Sequence, residues 1–188
     1  NRVDAIRDAG HQVLEEEQGG ATPGYSCQFL AVPSGTILRP ELMARRPRVD
    51  GIQTAIVVGP SGEEIYTDEF GRVKVQFHWD RIGEYNEKSS CWVRVSQLWA
   101  GAGWGGMEIP RIGHEVIVSF EEGDPDRPLI TGRVYHGENR PPHVLPDNKV
   151  KSTIRSNSTP GGGGFNELTF DDTKDKEEVF LKSQRNTT

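Results

Sequence analysis

From Gly51 onward the chain falls into short runs in which apolar and polar residues alternate, the period-two signature of a half-buried strand. IQTAIVVG (52–59) is a β-branched run closed by Gly59 and Pro60, and RVKVQFHWD (72–80) places Val73, Val75, Phe77 and Trp79 on one face. Arg72, Lys74, Gln76 and His78 take the other. CWVRVSQL (91–98) sets Cys91, Val93 and Val95 against Trp92, Arg94 and Ser96; HEVIVSFEE (114–122) sets Val116, Val118 and Phe120 against Glu115, Ile117 and Ser119. A fifth run, PLITGRVYH (128–136), follows a tight turn at Gly123, Asp124, Pro125 and Asp126. Five short strands separated by turn signals predict a small, mainly β, antiparallel barrel, and the commonest barrel of that size is the OB-fold.

The flanks read differently. Over residues 3–18, Val3, Ile6, Val13 and Leu14 fall loosely on one helical face and Gly19-Gly20 supplies a stop, which predicts a helix. Prolines at 23, 33, 40 and 47 then leave room for one strand, in YSCQFLAV, and an extended linker carrying Arg39, Arg45, Arg46 and Arg48. Beyond the barrel, Pro141, Pro142 and Pro146 form a stiff neck, polar residues lead to Gly161–Gly164, and two strand-like pieces follow, FNELTF (165–170) and EEVFLKS (177–183). Leu168 and Phe170 share one face, as do Val179 and Leu181. A two-stranded piece cannot bury such a face alone, so it needs more chain or other subunits.

Composition sharpens this picture. In 188 residues, 22 glycines and 12 prolines favour turns over long helices, and the apolar runs are all too short to span a membrane as a helix. Acidic residues exceed basic ones, 28 to 22, so a formal charge of −6 argues against a partner bound through phosphates, and nucleic acid is not expected. Two cysteines, Cys27 and Cys91, form neither a disulfide framework nor a metal knuckle and are expected as free, buried thiols. No basic stretch followed by an apolar one is visible near Asn1, so no secretory signal is expected.

Four constellations could carry chemistry. Gly101-Ala102-Gly103-Trp104-Gly105-Gly106 fits G-x-G-x-x-G, with Glu121 and Glu122 downstream, but the chain beyond it runs through Met107 and Pro110 into a strand, where a phosphate site needs a helix N-terminus. A flexible barrel loop is the better reading. His78, Cys91 and His114 lie on three predicted strands and could meet at zinc, yet strand parity sends His78 and Cys91 to opposite faces. Asp124 and Asp126, with Glu121 and Glu122, could hold calcium or act as acid and base, although Asp-Pro-Asp-Arg-Pro is turn chemistry. The cations Arg72, Lys74, Arg81 and Arg94, interleaved with Phe77, His78, Trp79 and Trp92, resemble a stacking platform for single strands, but Phe77 and Trp79 share parity with core valines. No catalytic residue, cofactor or metal is expected, and an enzymatic role is not.

Four segments, GIQTAIVVGPSGEEIYTDEFGRVKVQFHWDR (51–81), SSCWVRVSQLWAGAGWG (89–105), IPRIGHEVIVSFEEGDPDRPLITGRVYH (109–136) and FNELTFDD (165–172), resemble the VgrG family of spike proteins from type VI secretion systems. The resemblance implies a homotrimer akin to the hub and needle of contractile phage tails. It would assign residues 1–49 to the end of a hub-like domain and its linker, 50–137 to an OB barrel, 138–160 to a neck and 161–188 to the first rungs of an interwound trimeric β-helix. The orphan apolar positions, Phe165, Leu168, Phe170, Val179 and Leu181, become the expected subunit interface. A spike that punctures a target envelope and carries effectors is the implied function. Tube, tip-cap and baseplate proteins are the implied partners, and assembly in the bacterial cytoplasm followed by delivery, with transient membrane passage, the implied route. A phage or bacteriocin tail hub, or an OB module binding single strands or glycans, are the alternatives.

Overall fold

A computed structural model describes residues 7–12, 26–31, 35, 37, 39 and 42–186. The chain divides into two units, residues 1–46 and 47–188. In the first, strand β1 (Arg7–Gln12) pairs antiparallel with β2 (Ser26–Ala31), in a register that runs from Arg7 opposite Ala31 to Gln12 opposite Ser26. The second strand was predicted. The first replaces the middle of the expected helix over 3–18, the rest of which lies outside the described residues. A loosely spaced apolar pattern containing Gly10 is weak support for a helix, and a continuous antiparallel ladder satisfies the same backbone groups.

The second unit opens with the barrel. Strands β3 (Gln53–Val58), β4 (Lys74–Phe77), β5 (Arg94–Val95), β6 (Glu115–Phe120) and β7 (Pro128–Val134) form one sheet in the order β4-β3-β6-β7-β5. A bridge between Val73 and Val93 links its two edges. All neighbours are antiparallel except β5 and β7, which run parallel, a departure from the all-antiparallel expectation. The sheet wraps around Ala55, Val57, Val73, Val75, Val93, Val116, Val118 and Ile130, all essentially solvent-free. Valine dominates because its branched Cβ suits both the extended backbone and a narrow interior.

Three side chains depart from the alternation. Gln76, expected outside, is fully buried: its amide donates to the Phe77 and Asp80 carbonyls (3.4 and 3.2 Å), while its oxygen accepts from the Tyr85 amide at 3.4 Å. The 80–85 loop folds over it, pinned by the Asp80 carboxylate, which accepts from the Ile82 and Gly83 amides at 3.0 Å each. Trp79, expected inside, is exposed because the strand ends at Phe77; its indole stacks on Phe77 (centroids 5.1 Å) and donates to Gln53 Oε1 at 2.5 Å. Cys91 is exposed rather than buried, since regular pairing on that segment begins only at Val93.

Past the barrel, β8 (Lys151–Arg155), β9 (Glu167–Asp171) and β10 (Glu178–Lys182) form an antiparallel sheet in the order β10-β9-β8. The two predicted pieces are β9 and β10. β8, within residues read as neck, is the third strand; with Ile154 its only apolar residue, KSTIR carries no alternation to announce it.

Candidate interaction surface

The register of the three-stranded sheet decides what each face shows. Ile154 stands opposite Leu168, and Leu168 opposite Leu181; Ser152 stands opposite Phe170, and Phe170 opposite Val179. Because alternate residues share a face, Ile154, Leu168, Phe170, Val179 and Leu181 lie together on one side. That side is open to solvent: Ile154 is 66% exposed, Val179 66% and Leu181 68%, with Phe170 also exposed and Leu168 half-buried.

The opposite side is mainly polar and is covered over β9, although Phe180 on β10, opposite Thr169, is 42% exposed there. Glu167, only 5% exposed, receives Arg155 Nε at 2.5 Å on Oε2 and the Thr169 hydroxyl at 2.7 Å on Oε1. Thr169 is buried and hydrogen-bonded to Thr153. His143 Nε2 lies 3.3 Å from Glu167 Oε1, a charge contact without hydrogen-bond alignment, and Arg155 also donates to the Pro142 carbonyl at 3.0 Å. The neck prolines thus deliver His143 onto this face. The Arg155 hydrogen bond, aided by Thr169 and the nearby positive charges, outweighs burial and holds the Glu167 carboxyl at about 2.

Phe165 is set apart from the other four expected interface residues. Its ring lies on the polar side, with the Arg155 guanidinium 4.4 Å and the Lys182 ammonium 3.4 Å from its centroid. The sheet is therefore inverted relative to a self-sufficient domain, with the polar side of β9 buried and the apolar face largely bare. Full cover of each such aliphatic or aromatic side chain contributes about 1.5–3 kcal/mol. Five of them on one flat face make an association surface.

A short junction ties barrel to sheet. The Glu64 carboxylate, beyond β3, accepts from the Thr159 hydroxyl at 2.6 Å and from the Gly161 amide, and Arg111 donates to the Asn157 carbonyl at 2.8 Å. The Thr159 hydrogen bond, followed by that of Gly161, lowers the Glu64 pKa.

The other sequence candidates are occupied by structural contacts. His78 Nε2, just past β4, lies 3.8 Å from Glu115 on β6, and Cys91 is exposed on the segment before β5. His114 accepts from the Arg111 amide at 3.4 Å; burial and the Arg133 and Arg111 charges lower its pKa. Among the described residues, no three His, Cys, Asp or Glu side chains are grouped to hold a metal. Glu121 pairs with Arg94 and, at 2.6 Å, with Arg127, while Asp124 accepts from the Asp126 amide at 3.0 Å in the turn. Residues 101–104 form a hairpin tip, and no helix opens directly after it: the next helical element is one 3-10 turn at Glu121–Gly123, beyond β6. Lys74 sits 5.0 Å over the Trp92 ring, which packs on Tyr66, so these aromatics are spent on one another.

Known proteins place this arrangement. A family model described as the type VI secretion system/phage-baseplate injector OB domain matches residues 54–135, and one described as the bacteriophage T4 gp5 C-terminal trimerisation domain matches 152–188. The spike protein VgrG5 of Pseudomonas aeruginosa is 52% identical over 182 residues, 93% of this chain and 23% of its own length. The chain belongs to the VgrG family of type VI secretion spike proteins. A second VgrG protein, the spike protein VgrG3 of Vibrio cholerae, is 53% identical over 98% of this chain and 18% of its own length. The actin cross-linking toxin VgrG1 of Vibrio cholerae is 53% identical over 93% of this chain and 16% of its own length. The chain thus spans about a quarter or less of the VgrG proteins it matches. The boundaries fit the geometry: the first match covers the barrel, and the second begins within β8 and takes in the whole bare apolar face.

Proposed function

We propose that these residues form the barrel and upper shaft of a homotrimeric spike, driven with a type VI secretion apparatus through a target envelope and carrying effectors with it. The observation that carries this reading is the exposed face of Ile154, Leu168, Phe170, Val179 and Leu181, inside the stretch that matches a trimerisation domain. Three copies bury from one another what one copy leaves in water, and they pair or cover strand edges that a lone sheet exposes. The barrel's linked edges and the Glu64 junction suit a part that transmits axial load. The tube, tip-cap, baseplate and effector proteins of the apparatus are its proposed partners.

The role is mechanical rather than catalytic, because the candidate acid and base groups are engaged in turns and ion pairs. Changing Asp124 or His78 to alanine leaves delivery intact in a folded protein. Delivery by the apparatus requires no membrane anchor, and no helix among the described residues is long and apolar enough to cross a membrane.

The test is Leu181→Asp in the full-length protein, scored by effector delivery from living cells. The variant stays soluble and abolishes delivery. Unchanged delivery would refute the reading.

A further inference from the structure

We propose that the hairpin Gln97–Glu108 is an intermolecular clasp: its two tryptophans seat in the groove at the base of the same hairpin on a neighbouring copy, so that three hairpins close a ring. This rests on the trimeric reading above and adds to it a specific contact in the barrel.

The hairpin is closed by its own backbone hydrogen bonds. Ala100 bridges Gly105, the Gly106 amide donates to the Trp99 carbonyl and the Gly101 amide to the Trp104 carbonyl, both at 2.8 Å. At the base, the Gln97 side chain accepts from the Glu108 amide at 2.9 Å, and Arg133 holds the Glu108 carboxylate at 2.9 Å. Trp99 and Trp104 meet edge to face, centroids 5.1 Å apart, over Gly101, where any Cβ would collide with the Trp104 ring. Yet Leu98 is 99% and Met107 81% exposed, and both indoles are mostly in water. Preorganised tryptophans lose little entropy on binding and are the usual anchors of protein interfaces.

A receiving surface lies beside them. A groove of about 500 Å³ runs along the hairpin base, its apolar part formed by Val95, Leu98, Met107 and Ile130 and its polar part by Ser96, Gln97, Glu108 and Arg133. It is ample for one indole, and its apolar floor with an arginine wall suits a tryptophan face.

The occupant follows from symmetry and position. A threefold ring is built from heterologous contacts, which require a projecting element and a different receiving surface on every copy. The hairpin and its groove are such a pair. They also lie at the shaft end of the barrel: Glu108 is three residues before Arg111, which bonds Asn157 just beyond β8, and Arg133 adjoins Val134, opposite Glu115 where β6 begins. The matched trimerisation domain, 152–188, would gather three copies at that end. The clasp therefore continues the shaft interface upward.

Disulfide trapping tests this. Ala102→Cys at the hairpin tip and Ser96→Cys beside the groove are introduced together, in a protein with Cys27→Ser and Cys91→Ser. Within one chain the two sites are six positions apart, and the extended run from Ser96 to the Ala100 bridge alone spans roughly 13 Å, beyond the ~7 Å Cα limit for a disulfide, so only neighbours can link. On oxidation the double variant runs as a covalent trimer and no larger, collapses to a monomer on reduction, and neither single variant does this. A trimer by light scattering that fails to cross-link, or a ladder extending beyond three, would overturn the clasp while leaving trimerisation intact. A monomer by light scattering would overturn both.

Discussion

Glu64 and Gly161 are 97 positions apart in sequence, yet the Glu64 carboxylate accepts the Gly161 amide at the junction of barrel and shaft. The same carboxylate takes the Thr159 hydroxyl, so one side chain ties the connection between β8 and β9 to the barrel. A spike loaded along its axis needs that coupling, because a free swivel there would let the barrel turn without the shaft.

Glu64→Gln keeps the size but loses the charge that strengthens both hydrogen bonds. Amide exchange at Gly161 rises several-fold while exchange in β3 and β6 stays unchanged. Acid acts in the same direction: the lowered Glu64 pKa means that its stabilising contribution is complete above about 4.5 and disappears as pH falls below that value. Exchange at Gly161 that ignores both the substitution and the pH would show that the clamp carries no load.

Glu167 titrates well below the ordinary carboxylate range. Its folded value of about 2, set first by Arg155, lies below the ordinary value of 4.5, so the unfolded chain binds the proton more readily and acid favours unfolding. The contribution is fully present above pH 4.5 and is lost between there and pH 2. Glu167→Gln removes this slope from the acid denaturation curve. NMR titration of the carboxyl carbon with a midpoint near 4.5 would contradict the arrangement.

Gly83 lies under the buried Gln76 amide, where an added Cβ would meet both Gln76 and the Asp80 carboxylate. Gly83→Ala therefore lifts the 80–85 loop and destabilises the barrel by about 1–3 kcal/mol, measured by urea denaturation. Gln76→Leu costs a similar ~1–3 kcal/mol, because the Tyr85 amide and the Asp80 carbonyl lose their partner. Wild-type midpoints in both variants would mean that the loop does not seal the core.

The barrel was legible because Val73, Val75, Val93, Val116 and Val118 alternate with polar residues on segments bounded by turns, and all five are core. Parity failed where the strand itself stopped. Trp79 lies past the end of β4 and turns outward, and Gln76 looks polar in sequence but is sealed by a loop that local pattern cannot place. The parallel pairing of β5 with β7 depends on long-range closure and leaves no local trace. In the shaft, Leu168, Phe170, Val179 and Leu181 announced an unpartnered face. Ile154 was missed because its strand has one apolar residue, and Phe165 proved to lie with Arg155 and Lys182 on the other side. The Arg155–Glu167 pair, twelve residues apart, becomes visible only once β8 is recognised as a strand.

The central claim is that the bare face of the shaft sheet is a contact between three copies. Native molar mass by light scattering tests it most directly, on the wild-type chain and on Leu181→Asp. The account predicts about 63 kDa for wild type, three chains of 20.9 kDa, and a single-chain mass for the variant, whose barrel remains folded. A wild-type protein that stays at the single-chain mass as its concentration is raised, or a variant that still assembles as three, would contradict it.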